Sequence, residues 1–226
     1  MKVSEAVEQR MSVRAFKPEA PPRALVEDIV RRAARAPSGG NLQPWRVHVL
    51  AGDALQALVA DVAAIVGDPA RRETPEYEVY PRDLWEPLRT RRFQAGEDLY
   101  ATLGVPREDR AGRLAQFANN FRLFGAPVGL FFTLDRRVGP PQWSDMGMLM
   151  QTVMLLAVEA GLDTCAQEAW SQFPKTLARH LSLDESEMLF SGMALGWRDP
   201  NHPINTLRTR RAALEDFAVF RGFDGT

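Results

Sequence analysis

Apolar residues recur along this chain with two periods, and the periods alternate. Val3, Val7 and Met11 repeat at four-residue intervals, with Ser4 placed to cap, which predicts a short helix over 3–11. A polar, proline-containing connection follows over 17–22. Pro22 suits the first turn of a second helix over 22–36, Leu25, Ile29 and Ala33 form its buried stripe, and Pro37 stops it. Residues 46–51 read as a strand with Val47 and Val49 on one face. Asp53 is placed to cap a helix carrying Leu55, Leu58, Val59, Val62 and Ile65, closed by Gly67. Both periods then fade. Residues 68–112 interleave Tyr77, Tyr80, Trp85 and Phe93 with Arg, Glu and Pro, and read as a mobile, partly helical insertion.

Regularity returns with an apolar strand over 128–134. Residues 144–160 are apolar nearly all round, as expected of a helix at the centre of a fold or in an oligomer interface. A short strand near 164–166, a helix over 175–181 and a strand over 188–197 complete the pattern. From Arg198 onward the tail is polar and rich in Pro and Arg. Strands alternating with helices, without internal repeats, predict an α/β or α+β domain.

The 226 residues suggest one sizeable domain or at most two small ones. Positive and negative side chains balance at 28 against 29, which argues against a general nucleic-acid binder. Three of those 28 cations are Lys (Lys2, Lys17, Lys175), so the other 25 are Arg. Arginine grips phosphate and carboxylate with a planar fork, so the bias is compatible with an anionic ligand, although genomic base composition produces the same bias. Cys165 is the only cysteine, which rules out an intramolecular disulfide and makes a thiolate zinc site untenable. His48, His180 and His202 have no metal-ligand spacing. No apolar leader and no apolar run of membrane-spanning length is present, so the expectation is a cytoplasmic protein without membrane or nucleic-acid partners.

Four segments could carry chemistry. Arg10-Met11-Ser12-Val13-Arg14 offers two guanidinium forks and a hydroxyl for an anion; alone, it reads first as a solvated charged helix end. Pro37-Ser38-Gly39-Gly40-Asn41-Leu42-Gln43-Pro44 joins a helix to a strand, with glycines that permit close backbone approach and polar side chains suited to a heterocycle. Gly161 to Glu168 contains Cys165, but no His or Asp stands at a signature spacing, and a lone Cys is usually a small buried hydrophobe. The tail carries Arg208, Arg210 and Arg211, which could close an anion site opposite Arg10 and Arg14 or simply face solvent. P-loop, Gly-x-Gly-x-x-Gly, Gly-x-Ser-x-Gly and His-Glu-x-x-His patterns are absent.

Taken in order, these segments resemble the FMN-dependent nitroreductase family. The matching pieces are Arg-x-Ser-x-Arg at 10–14, Ala-Pro-Ser-Gly-Gly-Asn-Leu-Gln-Pro-Trp at 36–45, Gly-Leu-Asp-Thr-Cys-x-Gln at 161–167, and Gly-x-x-Asp-Pro with Asn-x-x-Arg-x-x-Arg at 196–211. Trp85-Glu86-Pro87 with Arg91-Arg92, and residues 124–129, look most like the nitrobenzoate-reductase subgroup. The resemblance implies an α+β nitroreductase fold over 1–226, with a central, mostly antiparallel sheet flanked by helices. It implies an intertwined homodimer, an insertion over 68–112 near the active site, and an arm over 198–226 that wraps the partner.

The resemblance also implies FMN as cofactor and NADH or NADPH as co-substrate, in ping-pong reduction of an electron-poor aromatic, first of all a nitroaromatic. It places Arg10, Ser12, Arg208 and Arg211 on the FMN phosphate, with Met11 beside them. Arg14 falls at the N1 and O2 edge of the ring, and the backbone near Gln167 and Glu168 at its N5 side. Pro37, Ser38, Gly39 and Asn41 come from the partner. Tyr80, Trp85, Phe121 and Phe124 are candidate substrate contacts. The flavin carries the chemistry, so no catalytic side chain and no metal is expected. Quinone, enone or halogenated-aromatic reduction, a flavin-binding protein without turnover, and an arginine surface for an acidic partner are the rival readings.

Overall fold

The structure, a computed structural model, describes residues 1–223. In chain order it contains α1 (Val3–Gln9), α2 (Arg23–Ala33), β1 (Trp45–Ala51), α3 (Gly52–Val66), α4 (Leu88–Thr102), α5 (Arg110–Ala118), β2 (Val128–Asp135), α6 (Pro140–Glu159), β3 (Asp163–Gln167), α7 (Pro174–Leu181) and β4 (Glu187–Gly196). The four strands form one antiparallel sheet in the order β1-β2-β4-β3. The two central strands, β2 and β4, are buried along nearly their whole length, which is why both read as near-continuous apolar runs.

Alternation along the strands sends side chains to two separate cores. Leu130, Phe132, Met193 and Leu195 face α2 and α6; Phe131, Leu189 and Ala194 face α3 and α7. The second layer also holds Trp170, fully buried edge-on to Phe131 at 5.2 Å between ring centroids. Gly192 makes room for it: a Cβ there would lie 2.5 Å from the indole Cδ1. On the first layer α6 buries Met146, Leu149, Met150 and Val153, while Met148 stays exposed.

The expected elements are present with shifted ends. α1 stops at Gln9, and its cap position is Lys2 rather than Ser4. Its Val3 and Val7 are exposed and only Ala6 is buried, so these apolar positions face away from the core. α3 begins at Gly52 with Ala51 at the cap position, two residues before the expected cap Asp53, which instead lies in the first turn. α6 begins at Pro140, since a first-turn proline starts a helix rather than blocking it. Within 68–112 the structure places α4 and the start of α5. α4 buries no residue, so its apolar positions lack the stripe that would have made it legible. The irregular stretch before it is tethered by Glu73, which accepts hydrogen bonds from the backbone N–H groups of Lys175 and Thr176 and from the Thr176 hydroxyl at the start of α7.

Among the described residues no helix is long and apolar enough to cross a membrane. Among the same residues no group of three or more His, Cys, Asp or Glu is placed to hold a metal.

Candidate active site

Both ends of the chain meet at the free edge of β3. Ser12 forms a parallel bridge with Thr164, and the Val13 N–H donates to the Thr164 carbonyl at 3.0 Å. Lys17 N–H donates to the Trp197 carbonyl at 2.8 Å, which brings the chain leaving β4 alongside. Asn205 locks the two together. Its Oδ1 accepts the Arg14 N–H at 3.0 Å, and its Nδ2 donates to the carbonyls of Ala15 (2.8 Å) and Asp199 (2.9 Å). All three bonds lie at a side chain only 9% exposed, and the Arg14 N–H and the Asp199 carbonyl depend on it for a partner among the described residues.

This clasp creates a cleft of about 90 Å³ lined by Arg10, Met11, Ser12, Arg14, Leu207, Arg208, Thr209 and Arg211. Among the described residues none of the four arginines forms an ion pair with a carboxylate. Arg10 shows the consequence. Burial, followed by the charges of Arg211 and Arg208, pushes its pKa below the ordinary arginine value. Arg208 instead donates to the carbonyls of Gln9 and Arg10, and Arg211 to Thr209. Arg14 donates to the Ser12 carbonyl at 3.1 Å, and its guanidinium lies 5.9 Å from the centre of the Phe124 ring. Met11 departs from the rest: its side chain is buried in the core against Arg198, so only its backbone faces the cleft.

Beyond the cleft, Gln167 is buried at the end of β3. Its Nε2 donates to the Asn120 carbonyl at 2.7 Å, while its Oε1 has no partner, as is also true of the buried Thr164 hydroxyl. Glu168 is exposed and starts a 3-10 turn. Asn120 is the second residue of the segment Asn119–Gly125, in which Leu123 and Phe124 both adopt left-handed backbone (φ 50° and 54°). Non-glycine residues in that region cost about 1–2 kcal/mol each, so packing must enforce them. Phe124 is buried under Arg14. Phe121 is buried edge-on to Phe173 and Trp170, and forms one wall of a cavity of about 440 Å³ shared with Phe117, Leu114 and Arg72. Tyr80 and Trp85 line neither space and are exposed, Tyr80 carrying the Arg92 guanidinium 4.1 Å above its ring.

The loop over 37–43 lies elsewhere in the chain's fold. None of Pro37, Ser38, Gly39 or Asn41 lines the arginine cleft. Gly40, Asn41 and Gln43 have φ of 56°, 57° and 49°, a run that glycine makes possible at its first position. The Gln43 N–H donates to Ser38 Oγ at 3.0 Å, and the Gly39 N–H donates to the buried carboxylate of Asp145 on α6.

Cys165 is inert. It is fully enclosed, and burial pushes its thiol up to about 11, away from the thiolate a nucleophile requires. The sequence reading missed Asn205, Asn120 and Asp145. Asn205 stood inside the Asn-x-x-Arg spacing, and Asp145 was a lone acid in an apolar helix, which is a signal of a buried, partnered carboxylate.

Comparison with known proteins decides the family. The model described as "Nitroreductase family" matches residues 7–197. This chain belongs to the nitroreductase family. It is 39% identical over 218 residues to 4-nitrobenzoate reductase of Pseudomonas putida, covering 96% of this chain and 95% of that protein. It is 36% identical over 220 residues to nitrobenzene nitroreductase of Ectopseudomonas oleovorans, covering 96% of both. Its fold superimposes on the FMN and NADPH-dependent nitroreductase NfnB from Sphigopyxis sp. strain HMH with a TM-score of 0.95 at 48% identity, over 99% of this chain and all of that one. The nitroreductase fold inferred from the motifs is therefore the fold of this chain.

Proposed function

We propose that this nitroreductase-family chain works as a homodimer that binds FMN, takes reducing equivalents from NADPH or NADH, and reduces nitroaromatic compounds. The observation that carries the reading is the arginine cleft: four guanidinium groups without carboxylate partners, around a space suited to a compact anion. Crowded, partly buried cations are unfavourable unless an anion joins them. The unpartnered Gln167 Oε1 at the end of β3 fits a polar, hydrogen-bonding group beyond the cleft.

Bound FMN supplies hydride acceptance from a nicotinamide and hydride delivery to an electron-poor acceptor. The protein holds and aims it. Arg10, Ser12, Arg208 and Arg211 take the phosphate through charge-assisted hydrogen bonds, with the Met11 backbone beside them. Arg14, held by Ser12 and Phe124, presents a fixed positive charge to the ring. The backbone at Gln167 and Glu168 borders its reactive face. Tyr80, Trp85 and Phe121 contact substrate, and Phe124 acts by supporting Arg14. No side chain needs to act as acid or base.

Two features support the dimer. Pro37, Ser38, Gly39 and Asn41 do not reach the cleft of their own protomer, so sharing one ligand requires a second copy. Val3, Val7, Phe217, Val219, Phe220 and Phe223 are all more than half exposed, which is costly apolar surface for a lone protomer. The arm over 198–226 covers the partner in this reading. A lone reduced cysteine suits the cytoplasm.

The test is anaerobic. Protein reconstituted with FMN is mixed with NADPH or NADH, and the flavin absorbance is followed before and after 4-nitrobenzoate or nitrobenzene is added. The reading expects bleaching, then recovery on adding the nitro compound, with parallel double-reciprocal plots. A protein that binds no FMN, or whose flavin is not bleached, would refute it.

A further inference from the structure

Asp145 is a carboxylate 4% exposed on α6, flanked by Met146 and Leu149. Among the described residues it forms no ion pair. Its hydrogen-bond partner is one backbone group, the Gly39 N–H, which lies 3.2 Å from one oxygen and 3.3 Å from the other. That contact is where the 37–43 loop meets α6. The loop's other polar contacts are internal: Ser38 to Gln43, Gln43 to Asn41, Asn41 to Ser38, Leu42 to Gly39. A loop with three left-handed residues in four positions and only one polar tether to the fold is set by that tether.

We propose that Asp145 is the positioning residue of this loop, and that by fixing Gly39 it fixes Ser38 and Asn41 for the cofactor. The inference rests on the cofactor reading above and deepens it. Because the loop serves the second copy's cleft in that reading, Asp145 acts across the dimer: α6 of one protomer sets FMN affinity at the site completed by the other. What Asp145 supplies is an acceptor oxygen, not its charge.

Three variants test this. Asp145→Asn keeps an acceptor oxygen, Asp145→Ala removes it, and Gly39→Pro removes the donor while leaving Asp145 in place. The backbone at 39 accepts proline, although the ring Cδ takes the place of the amide hydrogen and the Asp145 carboxylate must turn away from it. Ser38 has extended backbone (φ −147°, ψ 152°), Gly39 starts a 3-10 turn, and a Cβ at Gly39 meets nothing within 4 Å. Apo protein is digested with trypsin, whose target residues Arg35 and Arg46 flank the loop, and FMN affinity is measured by fluorescence quenching. Asp145→Ala and Gly39→Pro should be cleaved faster at these sites and bind FMN about tenfold more weakly, while Asp145→Asn matches wild type within about twofold. If Asp145→Ala fails to fold, Gly39→Pro carries the comparison. Wild-type cleavage and affinity in the variants that lack acceptor or donor would overturn the proposal, as would Asp145→Asn behaving like Asp145→Ala. Wild-type protein that binds no FMN would instead sink the cofactor reading, and the digestion would still decide whether Asp145 holds the loop.

Discussion

Replacing Asn205 with alanine removes three hydrogen bonds at once, to Arg14 N–H, Ala15 C=O and Asp199 C=O, at 2.8–3.0 Å and at a side chain 9% exposed. A neutral intramolecular hydrogen bond is worth about 0.5–1.5 kcal/mol net, so the expected loss is about 3 kcal/mol. For a chain of this size that lowers the melting temperature by about 6–12 °C. The Ala15 carbonyl retains the Asp199 N–H at 3.0 Å, which keeps the loss from running higher. Asn205→Asp is the sharper variant. It can still accept from Arg14 but turns a carboxylate oxygen toward two carbonyls, so it should melt no higher than Asn205→Ala. Melting is followed by circular dichroism at one fixed protein concentration, with and without FMN. Asn205→Ala within about 0.5 kcal/mol of wild type, the range of an ordinary surface change, would refute the clasp. An Asn205→Asp variant as stable as wild type would show that Nδ2 does not serve the two carbonyls.

The arginine cleft predicts anion-specific stabilisation. Inorganic phosphate should raise the melting temperature above sodium chloride of equal ionic strength, and Arg10→Ala should abolish the difference while weakening FMN binding by about tenfold or more; equal melting in the two salts would count against the cleft. Burial pushes the Tyr77 phenol up to about 12, and its hydroxyl donates to the Phe190 carbonyl. An unfolded tyrosine ionises near pH 10, so the unfolded state sheds the proton first. The contribution of Tyr77 to stability is thus complete below about pH 10 and lost as pH rises toward 12, and Tyr77→Phe should flatten that part of the stability profile. Gly192→Ala should cost about 1–3 kcal/mol in urea unfolding, because the new methyl meets the Trp170 indole within a packed layer; a neutral effect would mean that Trp170 shifts freely.

The sheet and its covering helices were legible because their residues carry the two periods strongly. β2 and β4 announce themselves as buried runs, and α3 as a stripe from Leu55 to Ile65. α4 was not, because it buries nothing and instead presents charges: Asp98 pairs with Arg210 and Arg113 with Glu97 at α5. The arginines of the cleft were legible as motifs, but their convergence was not. It depends on Asn205, whose three partners lie up to 191 residues away, and no local spacing encodes a bond of that separation. Met11 shows the opposite limit. It sits between two cleft residues, yet the turn onto β3 sends its side chain into the core.

The clasp between the chain's two ends also orders events during synthesis. Translation delivers residues one after another from the N-terminus, and early segments begin to fold while later ones are still being made. Arg10 and Ser12 are made about two hundred residues before their companions Arg208 and Arg211. A nascent chain can therefore lay down the sheet through β4 and still own only half of its anion site. The cleft is completed when the last strand is already in place, so ligand can stabilise only chains that have passed Arg211. Fragments ending before Asn205 are left with an unclasped β3 edge, exposed for quality-control proteases to find.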